Sequence, residues 1–159
     1  AGGSEKCGWL TDVARFDAAI DYRSDDVRSA IAQTCPDGID VFFDNVGGEI
    51  LEAALDNLAL RARVVLCGGI SGYNATELPP GPRNIMNLII MRARMEGFIV
   101  LDYYDRAAQS VKDLLEWIEA GEIVYQEDLQ HGFDEIPNTL TRLFTGQNIG
   151  KQLLDIDWA

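Results

Sequence analysis

Cationic side chains are scarce in this sequence. It has 13 lysines and arginines against 26 aspartates and glutamates, for a net charge of −13 at pH 7. Binding to nucleic acid or to an anionic membrane surface needs a basic face, so the charge argues against both partners. Histidine occurs once, as His131, and a metal site built within the chain is therefore not expected. The three cysteines follow no C-x-x-C spacing, which favours free thiols and a cytoplasmic location.

Three further patterns are missing from the sequence. No apolar run is long enough to span a bilayer, and no signal-peptide pattern is present. The glycine fingerprint G-x-G-x-x-G does not occur before Tyr22. The chain does offer 159 residues with 47% hydrophobic content, which is enough for one well-packed domain.

The stretch of residues 39–73 predicts the centre of the fold. Two apolar runs, which begin at Ile39 and Arg63, are rich in β-branched and aromatic residues and end in glycines, as strands buried on both faces do. The strand in the first run is predicted at residues 41–44. Between them, three leucines recur at i, i+4 and i+7, so we expect a helix that reaches Leu60. The three are Leu51, Leu55 and Leu58. Strand, helix and strand make a βαβ unit of a parallel sheet, in which ligands bind beyond the carboxyl ends of the strands.

Further helices and strands are predicted on both sides of this unit. The predicted helices span residues 5–15, 84–94, 104–120 and 134–145, and one more begins after Ser24 or Asp25 and is ended by residues 36–38. The predicted strands span residues 16–22, 96–101 and 151–156, and residues 123–130 are expected to form a surface strand or an extended arm. Ser4 is expected to cap the first helix and Ser24 or Asp25 the second, while Gly121 and Gly146 end later ones. The apolar residues expected to face the core are Ile85, Leu88 and Ile89, then Val111, Leu114, Leu115 and Ile118, then Ile136, Leu140 and Leu143. The proline-containing loop of residues 71–83 has the length of a binding loop or lid.

Four segments resemble the cofactor-domain signature of the zinc-independent medium-chain dehydrogenase/reductases. The nearest likeness is to the leukotriene hydroxydehydrogenase and prostaglandin reductase family, with its curcumin-reductase and alkenal-reductase relatives. The segments are FDNVGG at 43–48, CGGISGYN at 67–74, EGF at 96–98 and NIGK at 148–151. The resemblance implies an α/β fold with a Rossmann-type, doubly wound parallel sheet. It makes residues 1–122 the NADP-binding domain, and residues 123–159 a helix and strand that return to a GroES-like substrate domain.

The strand order predicts that this fold is incomplete. Residues 1–4 have the pattern of the end of a second strand, so the first strand and its glycine turn are expected upstream, in the missing N-terminal half of a longer protein. The third strand, residues 17–21, would then have no neighbour linking it to the fourth, and backbone groups would remain unpaired. We therefore expect a fragment that binds cofactor weakly and turns over no substrate alone.

The resemblance implies NADP(H) as the cofactor. An acidic residue after the second strand would favour NAD, whereas this chain has Gly2, Gly3 and Ser4 and then Lys6. The resemblance places Lys6 at the 2′-phosphate and Tyr22 at the adenosine end. The residues alone leave other interpretations open: Lys6 as an ordinary exposed lysine and Tyr22 as an aromatic plug. Asn45 either contacts the cofactor, as the resemblance implies, or has a purely structural role in the turn, whose backbone geometry asparagine tolerates.

The second glycine turn, residues 67–73, is the most informative segment. Glycine lets a cofactor approach the backbone because no Cβ intervenes. The resemblance implies cofactor contacts from Cys67, Gly68, Gly69, Ile70, Ser71, Gly72 and Tyr73. It also makes Tyr73 the catalytic residue, beside the nicotinamide ribose and the substrate carbonyl. With no histidine nearby in sequence, Cys67 is interpreted as a small buried residue and not as a nucleophile.

Two more segments complete the predicted cofactor site. The resemblance implies that Phe98, Ile99 and Val100 line the nicotinamide pocket, largely through their backbone, which is compatible with a role in a core strand. It implies that Asn148 reaches the nicotinamide end, whereas its alternative role is a turn residue.

The implied reaction is conjugate reduction by an oxidoreductase. NADPH delivers a hydride to the β-carbon of an α,β-unsaturated ketone or aldehyde, and a hydroxyl stabilises the charge on the carbonyl oxygen without a metal. The alternatives are a quinone reductase on the same fold and a non-catalytic interaction domain that keeps the sheet. The resemblance also implies a homodimer through the last sheet strand, residues 97–101.

Overall fold

The computed structural model describes residues 1–77 and 79–156. It divides into two compact units. The three-stranded unit is Ser24–Ala108, and the two-stranded unit joins Ala1–Arg23 to the chain from Gln109 onward. No helix in the described residues is long and apolar enough to cross a membrane. The predicted domain boundary at residue 122 remains a prediction.

The helices and strands alternate along the chain. The helices are α1 (Ser4–Gly8), α2 (Val27–Thr34), α3 (Gly48–Leu55), α4 (Asn87–Ile90), α5 (Ala107–Glu119) and α6 (Ile136–Thr145), with a π-helical turn at Trp9–Val13 and 3₁₀ turns at Ile70–Gly72, Val100–Arg106 and Phe133–Glu135. The strands are β1 (Ile39–Asp44), β2 (Leu58–Leu66), β3 (Arg94–Gly97), β4 (Glu127–His131) and β5 (Lys151–Asp155).

The larger sheet is parallel and has the order β1-β2-β3. Its register pairs Asp44 with Leu66 and Leu66 with Gly97, so the carboxyl ends of the three strands lie at one edge. The helix α3 packs on this sheet through Leu51 and Leu55, and Leu55 is only 1% exposed. Burial of each such leucine contributes roughly 1.5–3 kcal/mol. The predicted parallel α/β fold is confirmed.

Helix α3 ends earlier than predicted, at Leu55 and not near Leu60. Asn57 stops it, because its backbone N–H donates to the Ala54 carbonyl and its side chain donates to the Ala53 carbonyl. The Asn57 carbonyl then accepts from the N–H of Ile39, which starts the sheet. Leu58 therefore joins the core from the first position of β2 and not from the helix.

Both predicted N-caps are wrong by one or two residues. Ser4 lies inside the first turn of α1, and Gly3 occupies the N-cap position with a φ of 100°. The N-cap of α2 is Asp26, whose carboxylate accepts from the Ser29 N–H at 2.8 Å. Hydrogen bonds from Ser29, from its side chain first and then its backbone, hold the pKa of Asp26 below its ordinary value. The predicted ends at Gly121 and Gly146 both have the positive φ of a left-handed cap.

Residues 16–22 do not form the predicted strand. The amino group of Ala1 donates to the Ile20 carbonyl, and the Tyr22 N–H donates to the Ala1 carbonyl. A strand needs a continuous series of such hydrogen bonds along its neighbour, and both of these are made by a single residue, Ala1. The segment therefore has no strand hydrogen bonding in the described residues.

Two elements near β3 also differ from prediction. β3 ends at Gly97 and not near Leu101. Its neighbour β2 ends at Leu66, and the last hydrogen bond from β2 is the one that the Leu66 carbonyl accepts from the Phe98 N–H. The helix α4 is a single turn, so Leu88 packs against the core while Ile85 and Ile89 remain exposed.

The two-stranded unit is a smaller parallel sheet with α6 beside it. β4 pairs with β5, with Leu129 opposite Leu153. The apolar residues predicted to face a core here are mostly exposed in the structure. They are Val111, Leu114 and Leu115 on α5 and Ile136, Leu140 and Leu143 on α6. The physical reason is that two strands offer little surface to cover a helix face, and α5 packs extensively against no other element among the described residues.

Candidate functional site

The glycine turn after β2 folds back onto the turn after β1. The N–H groups of Cys67 and Gly68 both donate to the Asp44 carbonyl, at 2.8 and 3.1 Å. The Ile70 N–H donates to the Asn45 carbonyl, and the Ser71 hydroxyl donates to the Val46 carbonyl at 2.6 Å. The structure thus brings Asn45 and residues 67–73 together at the carboxyl edge of the sheet.

Asp44 organises this junction, and the sequence analysis assigned it no role in the site. Its side chain is 1% exposed, and its Oδ1 accepts from the N–H groups of Val46 and Gly47 at 2.8 and 3.0 Å. An aspartate that hydrogen-bonds to backbone two and three residues ahead forms a local turn. The signal that could have identified it is an aspartate at the end of a predicted strand, with glycines three and four residues later.

Gly68 lies where the two turns approach each other closely. A Cβ at this position would be 3.2 Å from the Asn45 carbonyl oxygen and 3.7 Å from the Tyr73 hydroxyl. The Tyr73 hydroxyl therefore lies beside the glycine turn. Because the Tyr73 side chain is 71% exposed, small molecules can reach it. Cys67 is exposed, contrary to the prediction of a buried residue, because it follows the last ladder residue, Leu66, and leaves the sheet.

Aromatic rings hold the segment after β3. The Phe98 ring lies 5.9 Å from the Phe43 ring and 6.1 Å from the Tyr103 ring, centre to centre. Ile99 and Val100 follow with exposed side chains, outside any strand. Because β3 ends at Gly97, no strand pairing of β3 occupies the backbone groups of Ile99 and Val100, and a ligand can bind to them.

The remaining predicted residues lie in the two-stranded unit. The Lys6 ammonium donates to the Gly146 carbonyl at 2.7 Å, at the C-terminus of α6. The Tyr22 hydroxyl lies against Gly2, only 2.7 Å from where a Cβ would be. The Asn148 side chain donates to the Gly150 carbonyl, in the turn two residues beyond Gly146.

A carboxylate positions the Asn148 turn. Asp128 accepts from the Ile149 N–H at 3.0 Å and from the Arg142 guanidinium at 2.6 Å, and its own backbone carbonyl accepts from Gln152. The hydrogen bond from the Ile149 N–H is the main reason that the pKa of Asp128 lies below its ordinary value. Arg142 lowers this pKa further, whereas burial raises it. The turn that carries Asn148 is thereby fixed to β4.

The described residues contain no group of three or more His, Cys, Asp and Glu side chains that could hold a metal ion. Catalytic zinc needs about three such ligands from the protein.

A parallel sheet with two glycine turns at its carboxyl edge defines a Rossmann-type nucleotide-binding fold. The chain belongs to the zinc-binding dehydrogenase family, which it matches over residues 15–154.

The chain also resembles particular members of that family. It is 45% identical to the putative NADP-dependent oxidoreductase YfmJ of Bacillus subtilis, over 98% of the chain and 47% of the relative. It is 43% identical to the NADP⁺-dependent 2-alkenal reductase of Nicotiana tabacum, over 97% of the chain and 45% of the relative. The crystal structure of CurA from Vibrio vulnificus in complex with NADPH matches with a TM-score of 0.90 at 38% identity, over 100% of the chain and 49% of CurA. The chain therefore spans about half the length of these relatives, and the resemblance seen in the sequence is confirmed.

Proposed function

We propose that the protein containing this chain is an NADP(H)-dependent reductase of the carbon–carbon double bond in α,β-unsaturated ketones or aldehydes. The observation that carries the proposal is the glycine turn of residues 67–73, with Tyr73 beside Gly68 at the carboxyl edge of the sheet. The relatives named for NADP-dependent oxidation–reduction and 2-alkenal reduction support it. The activity is proposed for the whole protein, since the chain spans only about half of each relative.

The residues present fit this cofactor. At Gly68 a Cβ would fill the space beside Asn45, so only glycine leaves the backbone open there. The residues proposed to hold the cofactor are Asn45, Cys67, Gly68, Gly69, Ile70, Ser71, Gly72, Tyr73, Phe98, Ile99 and Val100, together with Lys6, Tyr22 and Asn148. Lys6 supplies a positive charge next to Gly2 and Gly3, where an NAD-selective protein would carry an acid.

Tyr73 is the proposed catalytic residue. Bound NADPH would supply the hydride. As the β-carbon of the substrate is reduced, negative charge accumulates on the carbonyl oxygen, and the Tyr73 hydroxyl donates a hydrogen bond to it. The side chain is 71% exposed beside the glycine turn, which leaves its hydroxyl accessible to a small substrate.

A comparison of acceptors tests this function. NADPH oxidation by the full natural protein that contains this sequence is followed with an alkenal, an enone, a quinone and no acceptor. Reduction of the alkenal and the enone is expected. Activity with the quinone alone would favour the quinone reductase, and no activity with any acceptor would favour an interaction domain.

Substitution of Tyr73 tests its role. Tyr73→Phe is expected to lower kcat about a hundredfold, the lower end for removing a donor to a developing oxyanion, with little change in NADPH affinity. The matched control is Tyr125→Phe, which removes the hydroxyl of a tyrosine that is 63% exposed. A loss confined to NADPH affinity would make Tyr73 a binding residue only.

We further propose a cytoplasmic homodimer that forms through residues 97–101. β3 is the edge strand of its sheet in the described residues, so one side of its backbone can pair with a second copy. Ile99, Val100 and Leu101 are all exposed next to this edge. Light scattering should give twice the subunit mass for the full protein and a monomer for Val100→Asp. A monomeric wild type would refute the dimer.

A further inference from the structure

Two cationic side chains meet at the C-terminus of α6. Lys6 donates to the Gly146 carbonyl at 2.7 Å, and the Arg23 Nη2 lies 3.4 Å from the carbonyl of Thr145. Both charged groups lie close to one point, since a Cβ on Gly146 would be 2.7 Å from Arg23 Nη2 and 4.0 Å from Lys6 Nζ. Lys6 is a predicted site residue, whereas Arg23 follows Tyr22 with no pattern in the sequence that marks it.

Arg23 also lies along the glycine turn that precedes α1. A Cβ on Gly2 would be 3.0 Å from Arg23 Nε and 2.7 Å from the Tyr22 hydroxyl. The Asp21 carboxylate lies alongside and accepts from the backbone N–H groups of Gly3 and Arg23. Tyr22 and Arg23 therefore lie against Gly2, and Arg23 joins this glycine turn to the end of α6, where Lys6 also lies.

Two cations held so close together repel each other unless an anion lies between them. The negative groups nearby are the Asp21 carboxylate, which accepts from the backbone N–H groups of Gly3 and Arg23, and the carbonyls at the end of α6, which are equivalent to about half an electron. Together they do not balance the two cations. A lysine ammonium has three donors and a guanidinium has five, so one bond from each to a carbonyl leaves most of them available. A phosphate can then bind to both groups while their contacts with α6 remain.

We propose that Arg23 is a second phosphate-binding residue, which acts with Lys6 to bind the 2′-phosphate of NADP(H) and to select it over NAD(H). The proposal rests on the cofactor assigned under the proposed function. The planar guanidinium can donate two parallel hydrogen bonds to a phosphate, which an ammonium cannot. The carbonyls of Thr145 and Gly146 hold both side chains in place beforehand, so less conformational freedom is lost on binding.

Titrations of NADPH and NADH against the full natural protein test the proposal. Arg23→Gln is expected to weaken NADPH binding about tenfold, the usual scale for one charge-assisted contact, and to leave NADH binding unchanged. Arg23→Lys should fall between wild type and Arg23→Gln. The matched control is Arg92→Gln, which removes the same charge from an exposed arginine whose guanidinium also donates to a backbone carbonyl, that of Ile90.

The outcomes separate this proposal from the proposed function. Equal losses for NADPH and NADH in Arg23→Gln would show a purely structural role at α6 and would overturn it. The proposal would also be overturned if Arg23→Gln kept the preference for NADPH over NADH while Lys6→Gln abolished it. In that case the assignment of NADP(H) as the cofactor would stand. Equal affinities of the wild type for the two nucleotides would overturn both. If Arg23→Gln does not fold, Arg23→Lys decides, because it keeps the charge and the reach to α6; an unchanged NADPH preference in that variant overturns the two-bond role of the guanidinium.

Discussion

At the scale of single residues, the candidate site depends on backbone approaches that only glycine allows. Gly68 is the clearest case. The residue does not need a positive φ, but a Cβ there would be 3.2 Å from the Asn45 carbonyl oxygen, which is tighter than an ordinary contact. That oxygen is itself bonded to the Ile70 N–H, so it cannot move without disturbing the turn.

Gly68→Ala should therefore destabilise the turn, while Gly69→Ala should not. We expect the first to lower the free energy of unfolding by about 1 kcal/mol, through overpacking, and to weaken NADPH binding. At Gly69 a Cβ would meet nothing within 4 Å, so its alanine variant should change stability by no more than about 0.5 kcal/mol. Urea unfolding of both variants and NADPH titration of Gly68→Ala are the measurements. Equal losses of stability in the two variants would show that the close approach at Gly68 does not matter.

Gly150 and Gly121 form a second matched pair. Both have a positive φ, +80° and +72°, so an alanine at either position is strained by about 1–2 kcal/mol. At Gly150 a Cβ would also lie 2.1 Å from the Gln126 carbonyl oxygen, whereas at Gly121 it would meet nothing. We expect Gly150→Ala to cost about 3 kcal/mol or more and Gly121→Ala only the strain. Thermal unfolding measures the difference, and equal costs would rule out the close approach.

At the scale of elements, sequence pattern predicts where strands and helices exist better than where they end. β1 was predicted at residues 41–44, inside its observed bounds of Ile39–Asp44, because β-branched and aromatic residues precede a glycine turn there. The end of α3 depends on the side chain of Asn57, and the end of β3 depends on the length of β2. The end of α3 is therefore set locally, by hydrogen bonds that a hydrophobic period does not reveal. The end of β3 and the exposed position of Cys67 depend instead on neighbouring strands in the sheet.

The β4–β5–α6 element should lose stability in acid through Asp128. The native pKa of this carboxyl lies below its unfolded value of 3.8. Its contribution to stability is therefore fully present above pH 3.8 and is lost as the pH falls through the lower native pKa. Denaturation at a series of pH values should show this slope in the wild type and a shallower one in Asp128→Asn. Asp102→Asn, outside the network, is the control, and parallel profiles for wild type and Asp128→Asn would contradict the prediction.

At the scale of the whole molecule, the apolar core is unevenly distributed. The buried apolar cluster is Leu51, Leu55, Leu58, Ala62 and Val64, all in the three-stranded unit. In the two-stranded unit, the stripes on α5 and α6 are exposed. The sequence predicted these stripes from periodicity, but periodicity shows only that a face is apolar, and what covers it depends on the partner surfaces that the fold supplies. The parallel sheet was predictable because its strands carry their own burial pattern.

This distribution predicts an uneven pattern of amide hydrogen exchange. The amides of β2 should exchange slowest, because β2 is paired on both sides and packs under Leu55. Those of β4 and β5 should exchange faster, since each is paired on one side only in the described residues. Leu55→Ala, at about 2–5 kcal/mol for a buried leucine, should accelerate exchange in β2, whereas Leu115→Ala, at an exposed position on α5, should not. Hydrogen-exchange mass spectrometry makes the comparison. Protection of β4 and β5 equal to that of β2, or slow β2 exchange that survives Leu55→Ala, would show that the stability of the molecule does not lie where its buried leucines do.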